Sequence, residues 1–223
     1  MRPLHEPQAP TGSDVTQARH PAATGTCRLL QVDGLRALAA LAVVAYHYTT
    51  RYQEVFPAAA ALPAALRWGN RGVNLFFAIS GFVIVMTLRR SRSASQFTAS
   101  RFARLYPTYW GAIALTTVAM ALPPLPNESL GLGQVLANLT MVHRFFGVRD
   151  VDGVYWSLQI ELIFYAWMLA LWALGGLRRI VPLCLAWTAA SLVTRIAEAH
   201  GSALPVQWSD ALMLYWFPWF AIG

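Results

Sequence analysis

Arg36 and His47 are separated by ten residues, nine of them Ala, Leu or Val and the tenth Tyr46. Eleven positions along a helix make about three turns, so the two side chains share nearly one face, roughly 16 Å apart along the axis. An arginine at one end of such a seam can hold an anion. A histidine at the other can serve as a general base. Asp33, one turn before Arg36, is placed to pair with it. The same pattern also fits a plain arrangement, with Arg36 an anchor and His47 snorkelling to the far interface beside Tyr46 and Tyr48. In "RFARLYPTYW", Arg101 and Arg104 lie at i and i+3 on one face of a helix start. Such a pair can chelate phosphate, although arginines before a span are also ordinary topology signals. In "VYWSLQIELIFYAW", Ser157, Glu161 and Tyr165 fall at i, i+4 and i+8. A glutamate in an apolar helix needs a partner or a role, and it can orient a histidine, pair with an arginine or carry protons. "RGVNLFFAISGFVIVM" adds Asn74 and Ser80, which can bond across helices, and Gly72 and Gly81, which allow close packing.

The elements that must position these residues are membrane helices. The chain has 223 residues, 57% of them hydrophobic and 12% charged, whereas a soluble domain carries about 25% charged residues. Nine Trp, eight Tyr and eleven Phe suit interfacial belts and tight helix packing. All 17 basic residues are arginine, and the net charge of +7 is read by side of the bilayer, with no nucleic-acid partner expected. Cys27 and Cys184 lie far apart and give neither a disulfide framework nor a metal-ligand spacing.

Residues 1–26 are rich in Pro, Ala, Thr and Gly without apolar period and are expected to be a disordered cytoplasmic tail without a signal peptide; His5 and His20 belong to it. Apolar segments that span, or nearly so, fall at 34–50, 72–88, 105–122, 154–174 and 180–198, with a sixth beginning near Ala211 and cut off at Gly223. The ending suggests a truncated chain. Residues 132–146 are apolar but carry Gln, Asn, His and Arg, and are expected to be interfacial or re-entrant. With the N-terminus in the cytoplasm, eleven arginines fall inside and five outside, which supports that arrangement. His143 and Arg144 are assigned to a solvated outer loop, with contact to an acceptor as the alternative; Asp150 and Asp152 are assigned to a turn and cap before Val154, and Tyr46 to packing. The Trp and Phe residues of 208–220 are assigned to an interfacial belt.

Taken together, four stretches resemble acyltransferase family 3, membrane proteins that modify cell-surface glycans with acyl groups. Its basic residue, ten residues and His correspond to Arg36 and His47; its second-helix pattern matches "GVNLFFAISGF" (72–82). Its R-x-x-R with an aromatic-Pro step corresponds to Arg101, Arg104, Tyr106 and Pro107, and its W-S-L-x-x-E-x-x-F-Y to Trp156–Tyr165 with Glu161. The resemblance covers 28–223. It implies an all-α polytopic bundle of about ten helices, of which about six are present here. Residues 27–223 then form the truncated membrane domain, multi-pass in the inner membrane with a cytoplasmic N-terminus.

The resemblance further implies transfer of an acyl group, acetyl by analogy, from acyl-CoA as donor substrate to a hydroxyl of a cell-surface or exported carbohydrate. No permanently bound cofactor and no metal is expected. Arg101 and Arg104, with Arg36 a further candidate, would hold the CoA phosphates. His47 would deprotonate the acceptor hydroxyl or briefly take the acyl group itself. Glu161 would hold the imidazole or balance charge, and Asn74 and Ser80 would donate to a developing oxyanion; Ser157 and Tyr165 would support Glu161. Two rival classes stay open. A transporter using Arg36, His47 and Glu161 as a relay predicts pH-coupled flux without acyl-CoA. A non-catalytic remnant predicts an inert protein even with His47 intact.

Overall fold

Helices form wherever the apolar runs are unbroken, and beyond them where caps allow. The computed structural model describes residues 30–58, 65–122 and 130–223. The expectations for the tail 1–26, His5, His20 and Cys27 lie outside the described residues. In chain order the helices are α1 (Leu30–Tyr46), α2 (Tyr52–Val55), α3 (Gly72–Arg90), α4 (Ala94–Ala121), α5 (Leu132–Asn138), α6 (Trp156–Ala173), α7 (Ile180–Ala199), α8 (Val206–Ala211) and α9 (Phe217–Ile222). No strand occurs among the described residues.

Among the described residues, three stretches are long and apolar enough to cross a membrane: Arg67–Arg90, Trp156–Ala173 and Gly176–Ala199. They match the expected spans 72–88, 154–174 and 180–198. The other three expected spans differ. Residues 34–50 lie in the 17-residue α1 and the π-helical turn His47–Arg51 that extends it, a helix interrupted by that turn and carrying Asp33, Arg36, His47 and Arg51. Residues 105–122 are the second part of the 28-residue α4, which contains Pro107. Residues 211–223 are not one helix. The chain leaves α8, passes through a left-handed Met213 (φ 52°) and re-forms as the six-residue α9.

α4 starts well before its apolar part because Ser93 caps it. Its hydroxyl accepts from the Gln96 amide at 3.2 Å, and the Gln96 side chain accepts from the Arg92 amide at 3.0 Å. The two bonds satisfy amides that a helix start leaves orphaned.

The main core lies between α3, α6, α7 and α9. Phe220 stacks between Phe77 and Phe164, with ring centroids at 4.5 and 4.1 Å, and Phe217 stacks on Trp187 at 4.4 Å. Phe217 and Phe220 are buried core residues, not members of an interfacial belt, because α9 is inserted against α3. Gly81 permits that insertion: a Cβ there would run into the Phe220 carbonyl. Gly72 does the same for α1, whose Val43 would lie 2.8 Å from an added Cβ.

A second cluster centres on Tyr109, Ile113, Met141, Val151 and Tyr155. It seats the 132–146 segment against the middle of α4. Tyr109 donates to the Asn138 carbonyl at 2.8 Å and Trp110 to the Leu139 carbonyl at 3.0 Å. The segment enters as α5, turns at a fully buried, left-handed Met141 (φ 62°), and returns to the start of α6. The segment folds back on itself and does not continue as one helix.

Candidate active site

The seam along α1 holds two separate groups of polar side chains, one at each end. Around Arg36, side chains from α3, α4 and α6 converge. Glu161 is half-buried. It accepts from the buried Ser80 hydroxyl at 2.9 Å and from the buried Tyr165 hydroxyl in a short hydrogen bond. The groups whose charges act on Arg36 include Arg104, Glu161, Tyr165 and Asp33. Arg101 stands over the Phe97 and Tyr165 rings at 5.9 and 6.0 Å, and its buried Nε has no hydrogen-bond partner. Three arginines therefore gather near Glu161 and Asp33, an arrangement with more positive than negative charge and an unspent N–H donor at Arg101 Nε. It can hold a phosphorylated or otherwise anionic group.

At the other end of α1, the His47 Nδ1–H donates to the Val43 carbonyl at 2.8 Å. That bond fixes the tautomer and leaves the Nε2 lone pair as the basic nitrogen. His47 begins the π-helical turn, a form that widens the helix and recurs at functional sites. It lines a cavity of about 560 Å³ with Asn74, Arg51, Trp156, Trp216 and Trp219. Tyr46 also lines this cavity and packs edge-on against the imidazole at 5.2 Å.

The structure thus unites Ser80, Glu161 and Tyr165, with Arg36, Arg101 and Arg104 around them. It places His47 with Asn74 instead. Three expectations are corrected. Glu161 does not hold the imidazole, because the Val43 carbonyl occupies Nδ1. Ser80 spends its proton on Glu161, which leaves Asn74 as the amide donor at the His47 cavity. Ser157 turns back to donate to the Val154 carbonyl at 3.1 Å, so it shares the helical face of Glu161 without bonding to it.

Sequence reasoning missed Trp216 and Trp219 as cavity walls, since an aromatic-rich ending reads first as an interfacial belt. It placed the loop before α6 in solvent. His143 is 1% exposed and meets Asp150 at 2.9 Å; it is not solvated. Asp152 does accept from the Val154 amide at 3.1 Å, as a turn residue should. Burial pushes the Asp210 carboxyl above the ordinary carboxylate range, with Asp150 acting in the same sense and Arg144 and Trp216 against it.

Residues 29–223 match the family model described as "Acyltransferase domain". The chain is 37% identical over 103 residues to the exopolysaccharide production protein ExoZ of Rhizobium meliloti, covering 44% of this chain and 32% of that protein. It is 33% identical over 149 residues to the acyltransferase MdmB of Streptomyces mycarofaciens, covering 62% of this chain and 38% of that one. It is 28% identical over 152 residues to the peptidoglycan O-acetyltransferase OatA of Listeria monocytogenes, covering 60% of this chain and 22% of that one. The chain thus spans 32% and 38% of the length of the first two relatives, about a third. No solved structure matches it. The match over nearly the whole chain makes it a member of acyltransferase family 3.

Proposed function

We propose that the protein transfers an acyl group, most simply acetyl, from acyl-CoA to a hydroxyl of a cell-surface or exported carbohydrate. The observation that carries this reading is the division of α1: an arginine-rich group at the Arg36 end and a histidine with a basic Nε2 in a cavity at the other. Arg101 and Arg104, with Arg36 beside them, hold the CoA phosphates. The pantetheine arm runs along the seam and brings the thioester to His47. Nε2 takes the proton of the acceptor hydroxyl, the hydroxyl oxygen bonds to the thioester carbonyl carbon, and the C–S bond breaks. The thiolate leaves as CoA and recovers the proton from His47. The Asn74 amide donates to the developing oxyanion. Glu161 balances the arginine charge. Residues 27–223 act as the membrane domain, in the inner membrane with the N-terminus cytoplasmic, so the donor enters from the side where it is made.

The relatives named for exopolysaccharide production and for peptidoglycan O-acetylation support a glycan acceptor. The test uses membranes carrying the full-length protein, acetyl-CoA labelled in the acetyl group, and recovery of label in glycan. Wild type transfers label, and His47→Ala loses at least about 100-fold, the scale of a general base. Undiminished transfer by His47→Ala removes the proposed chemistry.

A further inference from the structure

A second cavity, of about 300 Å³, opens beside the His47 cavity and takes no part in the steps above. Its size is at the lower end of the roughly 300–1,000 Å³ range of small-ligand sites. Arg144, Arg149, Asp150, Gln159, Gln207 and Asp210 line it. Unlike the greasy grooves elsewhere on the bundle, it is a built polar site. Arg144 lies between two carboxylates, with Nε 3.9 Å from Asp150 and Nη2 3.6 Å from Asp210. His143 braces Asp150 from behind at 2.9 Å. The loop backbone is pinned: Asn138 donates to the Arg149 carbonyl at 2.9 Å and accepts from the Val151 amide at 3.0 Å. Gln159 is 1% exposed, yet its side-chain oxygen has no partner. A buried acceptor left unpaired is costly, a deficit that a ligand donor would remove.

The chemistry of the lining narrows the ligand. Two arginines offset two carboxylates, so the cavity selects no net charge and is ill suited to phosphate. It offers both donors and acceptors at close quarters, which is what vicinal hydroxyls need. The two cavities are lined from neighbouring positions of the same two stretches of chain. Gln159 lies one helical turn after Trp156, and Asp150 lies three residues before Gly153; Trp156 and Gly153 both line the His47 cavity. Trp216 lines that cavity, and its indole acts on the Asp210 carboxyl of this one. Indole faces against a polar pocket suit the mixed apolar and hydroxylated faces of a sugar.

We infer that this polar cavity is a second acceptor subsite, which grips by its hydroxyls the sugar ring next to the one acylated at His47. The inference rests on the acyl-transfer reading and adds that the acceptor is recognised as at least two consecutive rings. The test measures acceptor KM in membranes carrying the full-length protein, with labelled acetyl-CoA. The probes are one-ring and several-ring fragments prepared from the glycan that the wild type acylates. Wild type is expected to show a lower KM for the several-ring fragments. Gln159→Leu raises that KM about tenfold, to the one-ring value, and leaves the one-ring KM and the acetyl-CoA KM unchanged. Gln207→Ala, at an exposed position on the cavity rim, shifts KM in the same selective way and guards against a misfolded Gln159 variant. Equal KM values for one and several rings in the wild type, or variants that change both alike, overturn the subsite. Absence of label transfer from the wild type to any glycan overturns the acyl-transfer reading itself, and the subsite with it.

Discussion

Two side chains set the character of the site by what they do with their hydrogen bonds. His47 spends Nδ1–H on a carbonyl of its own helix, so its basic nitrogen is fixed before any substrate arrives. Arg101 does the reverse: its buried Nε is unspent, and its guanidinium lies over two aromatic rings. Lysine would keep the charge but lose the planar fork and the stacking. Arg101→Lys is therefore expected to raise the acetyl-CoA KM about tenfold, the equivalent of about 1.4 kcal/mol, with kcat changed little. Initial rates against donor concentration decide it; an unchanged KM removes Arg101 from the anion site. At this scale the sequence was informative about residue types and poor about partners. Arg36, His47 and Glu161 stood out because ionisable groups in apolar helices are costly. The Ser80–Glu161 bond joins residues 81 positions apart, and no local pattern carries that information.

Among the elements, agreement was best where an apolar run was long and closed by charge, as in α3, which ends on Arg89 and Arg90. It was worst at 206–223, where an apolar run conceals a left-handed residue and two short helices. Hydropathy records greasiness, not backbone sign. The start of α4 was missed for the opposite reason: its first turns are polar, and the signal was the Ser93 cap rather than apolarity. Glycines give the contact between α3 and α9 a sharp test. At Gly81 any side chain meets the Phe220 backbone, whereas Gly111 in α4 has open space around it. Gly81→Val should destabilise by about 1–3 kcal/mol through overpacking. Gly111→Ala should stabilise by about 0.5–1 kcal/mol, since alanine suits a helix interior better. Thermal unfolding in detergent compares the two; equal midpoints would show that α9 does not depend on that contact.

For the whole molecule, the arginine clusters and the helix directions tell one story. Arg36, Arg101 and Arg104 gather at one end, next to the turn between α3 and α4, while His47, the 132–146 segment and α8 occupy the other. On the proposed reading the first end faces the cytoplasm, as the positive-inside rule expects of an arginine cluster. In a background with Cys27 and Cys184 replaced by Ser, Gln207→Cys should react with an impermeant maleimide on intact cells. Ser95→Cys, in the first turn of α4, should react only after permeabilisation. The opposite result would invert the orientation and detach the donor site from the compartment that makes acyl-CoA.

The length of α1 has a consequence of its own. On the proposed reading, a donor is gripped by its anionic end at Arg36 and must present its reactive carbonyl at His47, roughly 16 Å away along a rigid rod. The helix is then a ruler. Donors with the carbonyl directly beside the phosphate, such as acyl phosphates, are too short to touch both marks, however activated they are. Only a donor with a long thin arm between charge and thioester spans the gauge, so donor choice is set by a distance in the backbone as much as by the side chains at either end.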